Sequence, residues 1–262
     1  MSLDNLEFTI LLPAFLAGML VLATHVPLGQ QVLNRGIVFI DLAIAQVAGL
    51  GVTAADAFGF EPEGWRVQVA AVTAALIGAL LLTWTEKKWP EVQEALIGVL
   101  FVVAACVELL ILANNPHGGE HLKDLLVGQI LWVSTASLIP IALLYAFALA
   151  VWFGFRARIG QAGFYVLFAL VVTQSVQLVG IYLVFASLIV PALAAKRFAE
   201  RYRLAIGYAV GLIGYVLGLV ASSLFDLPTG AVIVVSLLIT FLIAVVISQG
   251  VSESWKAPRL AV

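Results

Sequence analysis

Residues 161–203 read QAGFYVLFALVVTQSVQLVGIYLVFASLIVPALAAKRFAERYR and carry no charge from Gly163 to Ala195. A helix crosses a bilayer with about 20 apolar residues, so this run is too long for one crossing and short for two unless both are compact. Its middle holds the break. Gln174 and Gln177 lie three apart on one helical face, and Gly180 follows. Polar side chains and a glycine inside an apolar run mark backbone that leaves regular helix within a protein-lined space. Pro191 interrupts the second half before the basic residues Lys196, Arg197, Arg201 and Arg203. The reading is a tight helical hairpin at 163–195 with both ends on one side of a membrane.

The rest of the chain agrees with a bilayer as its solvent. Hydrophobic residues make up 63% and charged residues 11% of the sequence, and several runs reach spanning length. The fold class is therefore an all-α polytopic membrane protein of about eight to nine transmembrane helices, arranged as a single transmembrane domain over 1–262. Spans are expected near 6–28, 37–57, 66–85, 94–113, 134–155, 163–178, 180–195, 204–224 and 229–249. Residues 122–132 read as an interfacial piece. The first run follows Asp4 and Glu7 rather than a basic segment, which argues against a cleavable signal peptide. Cys106 is the sole cysteine and lies in an apolar run, so it reads as a small core residue and no disulfide framework exists. The net charge of −2 points to no nucleic-acid partner.

Positive charge orients the spans. If connectors alternate sides, one side receives Arg35, Lys87, Lys88, Arg156, Arg158, Lys196, Arg197, Arg201, Arg203, Lys256 and Arg259, and the other only Arg66 and Lys123. The positive-inside rule then puts the N-terminus outside and the C-terminus in the cytoplasm. This holds only if 163–195 is a hairpin; as a single span it would put Arg156 and Lys196 on opposite sides.

Several fragments resemble, in order and spacing, the membrane subunits of bacterial ABC importers for zinc, manganese or iron. They are VQLVGIYLVFASLIVPALAAKRFAER, Pro27-Leu28-Gly29, Ala45-Gln46-Val47-Ala48-Gly49-Leu50-Gly51, the run LLVGQIL at 125–131, and DLPTG at 226–230. The resemblance implies a helical permease, homodimeric or pseudo-dimeric. Its partners would be a cytoplasmic ABC ATPase and a periplasmic metal-binding protein, in the bacterial inner membrane. Two departures stand out. The family's second helix carries an Asp and a His four residues apart; here those positions are Leu42 and Gln46, with Asp41 next door. The family's ATPase-docking segment between the fifth and sixth spans is reduced here to residues 156–162.

Acids inside apolar runs are costly and usually face a cavity, a partner or an ion. Asp41 and Glu108 are therefore metal candidates, joined by His25 and Gln46 if the helices converge; the commonplace reading is a helix-start or interhelical contact. Glu94, near a span end, reads as an exposed interfacial acid. His117, Glu120 and His121 form HGGEH in an outer connector, where they could collect a metal ion or simply be a polar loop. Gln177 and Gln174 are pathway candidates, Gln177 the better of the two, while Gln174 also reads as a lock for the hairpin through interhelical hydrogen bonds. Lys196, Arg197, Arg201 and Arg203 read as a topogenic flank and as an ATPase contact. No Gly-x-x-x-x-Gly-Lys-[Ser/Thr] loop exists in the chain, so it is not expected to be an enzyme. No tightly bound cofactor is expected, and a divalent metal, zinc first, is the expected cargo. Two other functions stand beside import: a permease-derived facilitator or metal-responsive partner without ATP coupling, and a membrane metalloprotease using the HGGEH loop.

Overall fold

A computed structural model of the chain describes residues 8–60, 64–112, 126–155 and 158–256. Within hydrocarbon no water satisfies backbone groups, so apolar runs of this length fold as helices. The helices are α1 (Phe8–Arg35), α2 (Ile40–Ala57), α3 (Trp65–Lys88), α4 (Gln93–Leu112), α5 (Thr135–Phe155), α6 (Gly160–Val179), α7 (Ile181–Ala195), α8 (Arg203–Phe225) and α9 (Thr229–Lys256). All but α7 are long and apolar enough to cross a membrane. HGGEH and residues 122–125 lie outside the described residues.

The hairpin is present, and its turn is one residue. Gly180 has φ 81° and ψ 163°, a conformation open to glycine, and joins α6 directly to α7. Its arms do not pack as a closed pair. α6 lies mainly against α2 and α3 and also meets α1 and α5, whereas α7 lies mainly against α1, α8 and α9. Both outer ends return to one face. The Arg35 guanidinium stands 4.4 Å over the Phe164 ring near the start of α6, and Lys196, just past α7, shares a cavity with Asn34 of α1. α7 has 15 residues, ~22 Å of helix, against a hydrocarbon layer of ~30 Å.

The turn backbone is covered by residues 126–134. They hold the short 3-10 turn Ile130–Trp132 and press Gly128 onto the Val179–Gly180 peptide. This segment, read from sequence as interfacial, thus turns inward: Ile130 is buried while Trp132 remains exposed. Small residues set the other close approaches. On α8, Gly207 and Gly211 seat Val26 and Leu22 of α1, and Gly214 and Gly218 seat Leu237 and Ile233 of α9.

Buried hydroxyls join the helices that glycine brings together. Ser187 of α7 and Tyr215 of α8 lie 2.8 Å apart, and Tyr145 of α5 pairs with Ser175 of α6. Ser175 also donates to the Val171 carbonyl, so it keeps a partner if Tyr145 is lost. Tyr145→Phe should therefore lower stability by only about 0.6–1.5 kcal/mol. Thermal unfolding in detergent checks this; a loss several times larger would mean that the pair organises more than one contact.

Candidate metal-ion pathway

Glu108 is the most elaborated buried acid. α4 is covered along a narrow stripe, Ile97, Ala104, Glu108 and Leu112, at roughly helical spacing. Its neighbour is α2, whose alanines and glycines let the backbones approach closely: Gly51 meets Ala70, Ala71 and Ala74 of α3 on its other side. The Glu108 carboxylate is 1% exposed. It accepts a short hydrogen bond from the Gln46 side-chain amide and one from the Thr53 hydroxyl at 2.8 Å. Gln46 and Thr53 are seven residues apart, two turns on one face. The two bonds fix the orientation of the carboxyl group between α2 and α4.

Asp41 occupies the other end of the same helix pair. It is 1% exposed, and its carboxylate leans over the N–H groups of Asp41 and Leu42 without a well-formed hydrogen bond. Glu94 Oε1 accepts the Phe39 N–H at 3.2 Å, which places a second carboxylate at the start of α2, close enough for Asp41 to feel its charge. Two acids at a helix N-terminus meet its positive dipole end. Glu94 is thus a cap on a neighbouring helix rather than a free interfacial acid. At 1.5 Å per residue Asp41 lies ~7.5 Å of helix before Gln46 and ~18 Å before Thr53, so it stands at the end of α2, outside the stretch that Glu108 bridges.

His25 is fully buried on α1. Its Nδ1 lies 2.9 Å from the Val21 carbonyl and 3.1 Å from the Thr24 hydroxyl, and its Nε2 has no hydrogen-bond partner. Among the described residues no three His, Cys, Asp or Glu side chains converge on one point. Gln174 donates to Gln68 of α3 at 3.3 Å, an interhelical hydrogen bond that ties the first arm of the hairpin to α3. Gln177, one turn nearer the break, has a buried amide nitrogen without a partner. Cys106 is exposed on the outer face of α4 and is not a core residue.

The basic flank divides in two. Lys196 and Arg203 border a cavity between helix ends, while Arg197 and Arg201 are exposed, the latter stacked at 4.6 Å on Tyr202. Sequence reading missed Thr53 and the cap that Glu94 places on α2. The seven-residue spacing from Gln46 could have pointed to Thr53; the cap by Glu94 joins residues 55 apart and left no local signal.

Residues 7–160 and 149–248 match the ABC 3 transport family. The chain is 23% identical to the high-affinity zinc uptake system membrane protein ZnuB of Haemophilus influenzae, covering 87% of this chain and 94% of that protein. It is 26% identical to the manganese transport system membrane protein MntC of Halalkalibacterium halodurans, covering 97% and 94%. Among solved structures, PsaBC from Streptococcus pneumoniae in complex with Fab aligns with a TM-score of 0.73 at 22% identity, over 92% of this chain and 93% of that one. At that identity the likeness shows the fold.

Proposed function

We propose that this chain, which belongs to the ABC 3 transport family, is the permease subunit of an ABC-type importer for a divalent metal ion. The observation that carries the reading is the buried Glu108 carboxylate, held between α2 and α4 by Gln46 and Thr53. A charge this deep in apolar helices is costly unless it serves an ion, a proton or a partner. α2, α4 and the α6–α7 hairpin would line the path around a dimer axis, with Gln177 beside it and alternating access moving the metal past Glu108. Zinc is the cargo expected from the sequence, where His25 and the acids offer imidazole and carboxylate together. The Glu108 position itself offers oxygen donors only, and that favours manganese as a second reading.

The chain holds no phosphate-loop motif, so a separate cytoplasmic ATPase would supply the energy. The charge rule puts the face bearing Lys87, Lys196 and Arg201 in the cytoplasm. There Lys196, Arg197, Arg201 and Arg203 would meet the ATPase. The opposite face, with its open cleft of about 340 Å³ between 127–132 and 226–230, would receive a metal-binding protein.

One observation favours an uncoupled permease as the rival: α5 ends at Phe155 and α6 begins at Gly160, leaving no length for a docking helix. Affinity purification of the tagged protein from its native membranes decides between them. A near-stoichiometric ABC ATPase is expected by mass spectrometry. If none appears in a detergent that keeps another ABC importer of those membranes intact, ATP-driven import is wrong and the facilitator reading replaces it.

A further inference from the structure

We infer that the cavity where α1, α5, α7 and α8 meet on the basic face is a binding site for the headgroup of an anionic phospholipid. The cavity measures about 80 Å³. A water needs roughly 15 Å³ of such space, so it admits about five water-sized atoms, the size of a phosphate group. Gln30, Asn34, Lys196, Glu200 and Arg203 supply its polar lining. Arg203 is anchored by its Nε, which donates to the Phe198 carbonyl at 3.3 Å. Among the described residues no ion pair neutralises Lys196 or Arg203, although Glu200 shares the lining. Two cations against one carboxylate leave the lining net positive, which suits an anion with several acceptor oxygens such as a phosphodiester.

The rim identifies the source of that phosphate. Leu33, Phe153 and Leu204 border the same cavity, and Phe153 and Leu204 are exposed at the ends of membrane spans. Charge inside an apolar rim at the helix ends matches a headgroup with its acyl chains, and basic pockets between transmembrane helices on the cytoplasmic side are where such lipids bind. A soluble phosphate would leave the rim unused. Lys196 and Arg203 are also among the residues proposed to meet the ATPase, so the lipid would sit at the edge of that contact, with Arg197 and Arg201 outside the cavity lining. The inference rests on the proposed function only in assigning the cavity to the cytoplasmic leaflet.

The test uses the purified full-length protein in detergent, titrated separately with phosphatidylglycerol, phosphatidylcholine and inorganic phosphate, with thermal stability and native mass spectrometry as readouts. Phosphatidylglycerol should be retained in at least about fivefold preference to phosphatidylcholine. Lys196→Gln and Arg203→Gln should each cut that preference about fivefold, the factor for one basic residue near an anionic surface. Lys87→Gln, on the same face but outside the cavity, should leave it unchanged. Lys196 is exposed, so its variant folds even if the Arg203 variant does not. Equal retention of phosphatidylcholine, or an undiminished preference in Lys196→Gln, overturns the inference. So does equal stabilisation by inorganic phosphate, which makes it a soluble-anion site. Loss of a bound ATPase with lipid retained makes the patch a protein dock instead. Lipid retention needs no ATPase, so its failure is distinguishable from failure of the importer reading.

Discussion

Gly128→Ala is expected to yield little folded protein. A Cβ at this position would stand 2.2 Å from the carbonyl carbon and oxygen of Val179, and Gly128 has φ 72°. The neighbour is backbone, held by α6 on one side and the turn on the other, so it has no rotamer through which to yield. The left-handed conformation costs a non-glycine residue about 1–2 kcal/mol, and overpacking a tight site adds about 1–3 kcal/mol. The sum, ~2–5 kcal/mol, is a large part of the ~5–15 kcal/mol that holds a typical domain together. Gly180→Ala should act on the same contact from the other side, since its Cβ would lie 2.3 Å from the Gly128 nitrogen. Combining the two should therefore cost less than the sum of the singles. Gly98→Ala is the control, because nothing lies within 4 Å of an added Cβ there. Size-exclusion profiles and thermal unfolding in detergent read the outcome. A Gly128→Ala protein as stable as Gly98→Ala would mean that segment 126–134 does not seal the turn.

Glu108→Gln carries the largest expected effect on function. The glutamine oxygen still accepts from Gln46 or Thr53, so shape and most of the hydrogen bonding survive while the charge goes. Removing groups that merely orient a metal site already costs about 10–100-fold, so metal uptake should fall at least tenfold at equal protein level. Glu108→Ala should lose uptake as well and should also destabilise by about 1–3 kcal/mol, because the Gln46 amide and the Thr53 hydroxyl lose a buried acceptor. Uptake by cells lacking their own importer, assayed with zinc and with manganese in parallel, measures the first effect; thermal unfolding measures the second. The split matters. Wild-type uptake in Glu108→Gln together with instability in Glu108→Ala would show that Glu108 only ties α2 to α4, and the pathway would have to be sought elsewhere.

Several features were legible without the structure because they are written in local chemistry. Runs of apolar residues near spanning length appear as helices because a bilayer leaves the backbone no other way to satisfy itself. Gly180 was legible as the break because a glycine beside two glutamines has no reason to interrupt a continuous span. The grouping of Arg35, Lys87 and Lys196 on one side followed from counting connectors, and the hairpin ends return to one face as that count requires.

The directions in which side chains point were not legible. In water, an amphipathic stripe tells which face of a helix is buried. In lipid, the face toward protein and the face toward hydrocarbon are equally apolar, so Cys106 and Ala104 look alike in sequence, yet one is exposed and the other buried. The partner of Gln174 on α3, the cap that Glu94 places on α2, and the backbone contact between Gly128 and Gly180 are each made across long sequence separations. The sequence by itself determined that this chain crosses a membrane many times, where it turns, and which end of each span bears the positive charge. Those properties follow from the transfer energies of single residues and short runs. Only the tertiary structure decided that Glu108 meets Gln46 and Thr53 while Asp41 stands at the end of α2, ~7.5 Å of helix before Gln46 and ~18 Å before Thr53. That arrangement depends on how closely small residues let particular helices approach, a property of pairs of helices rather than of either one.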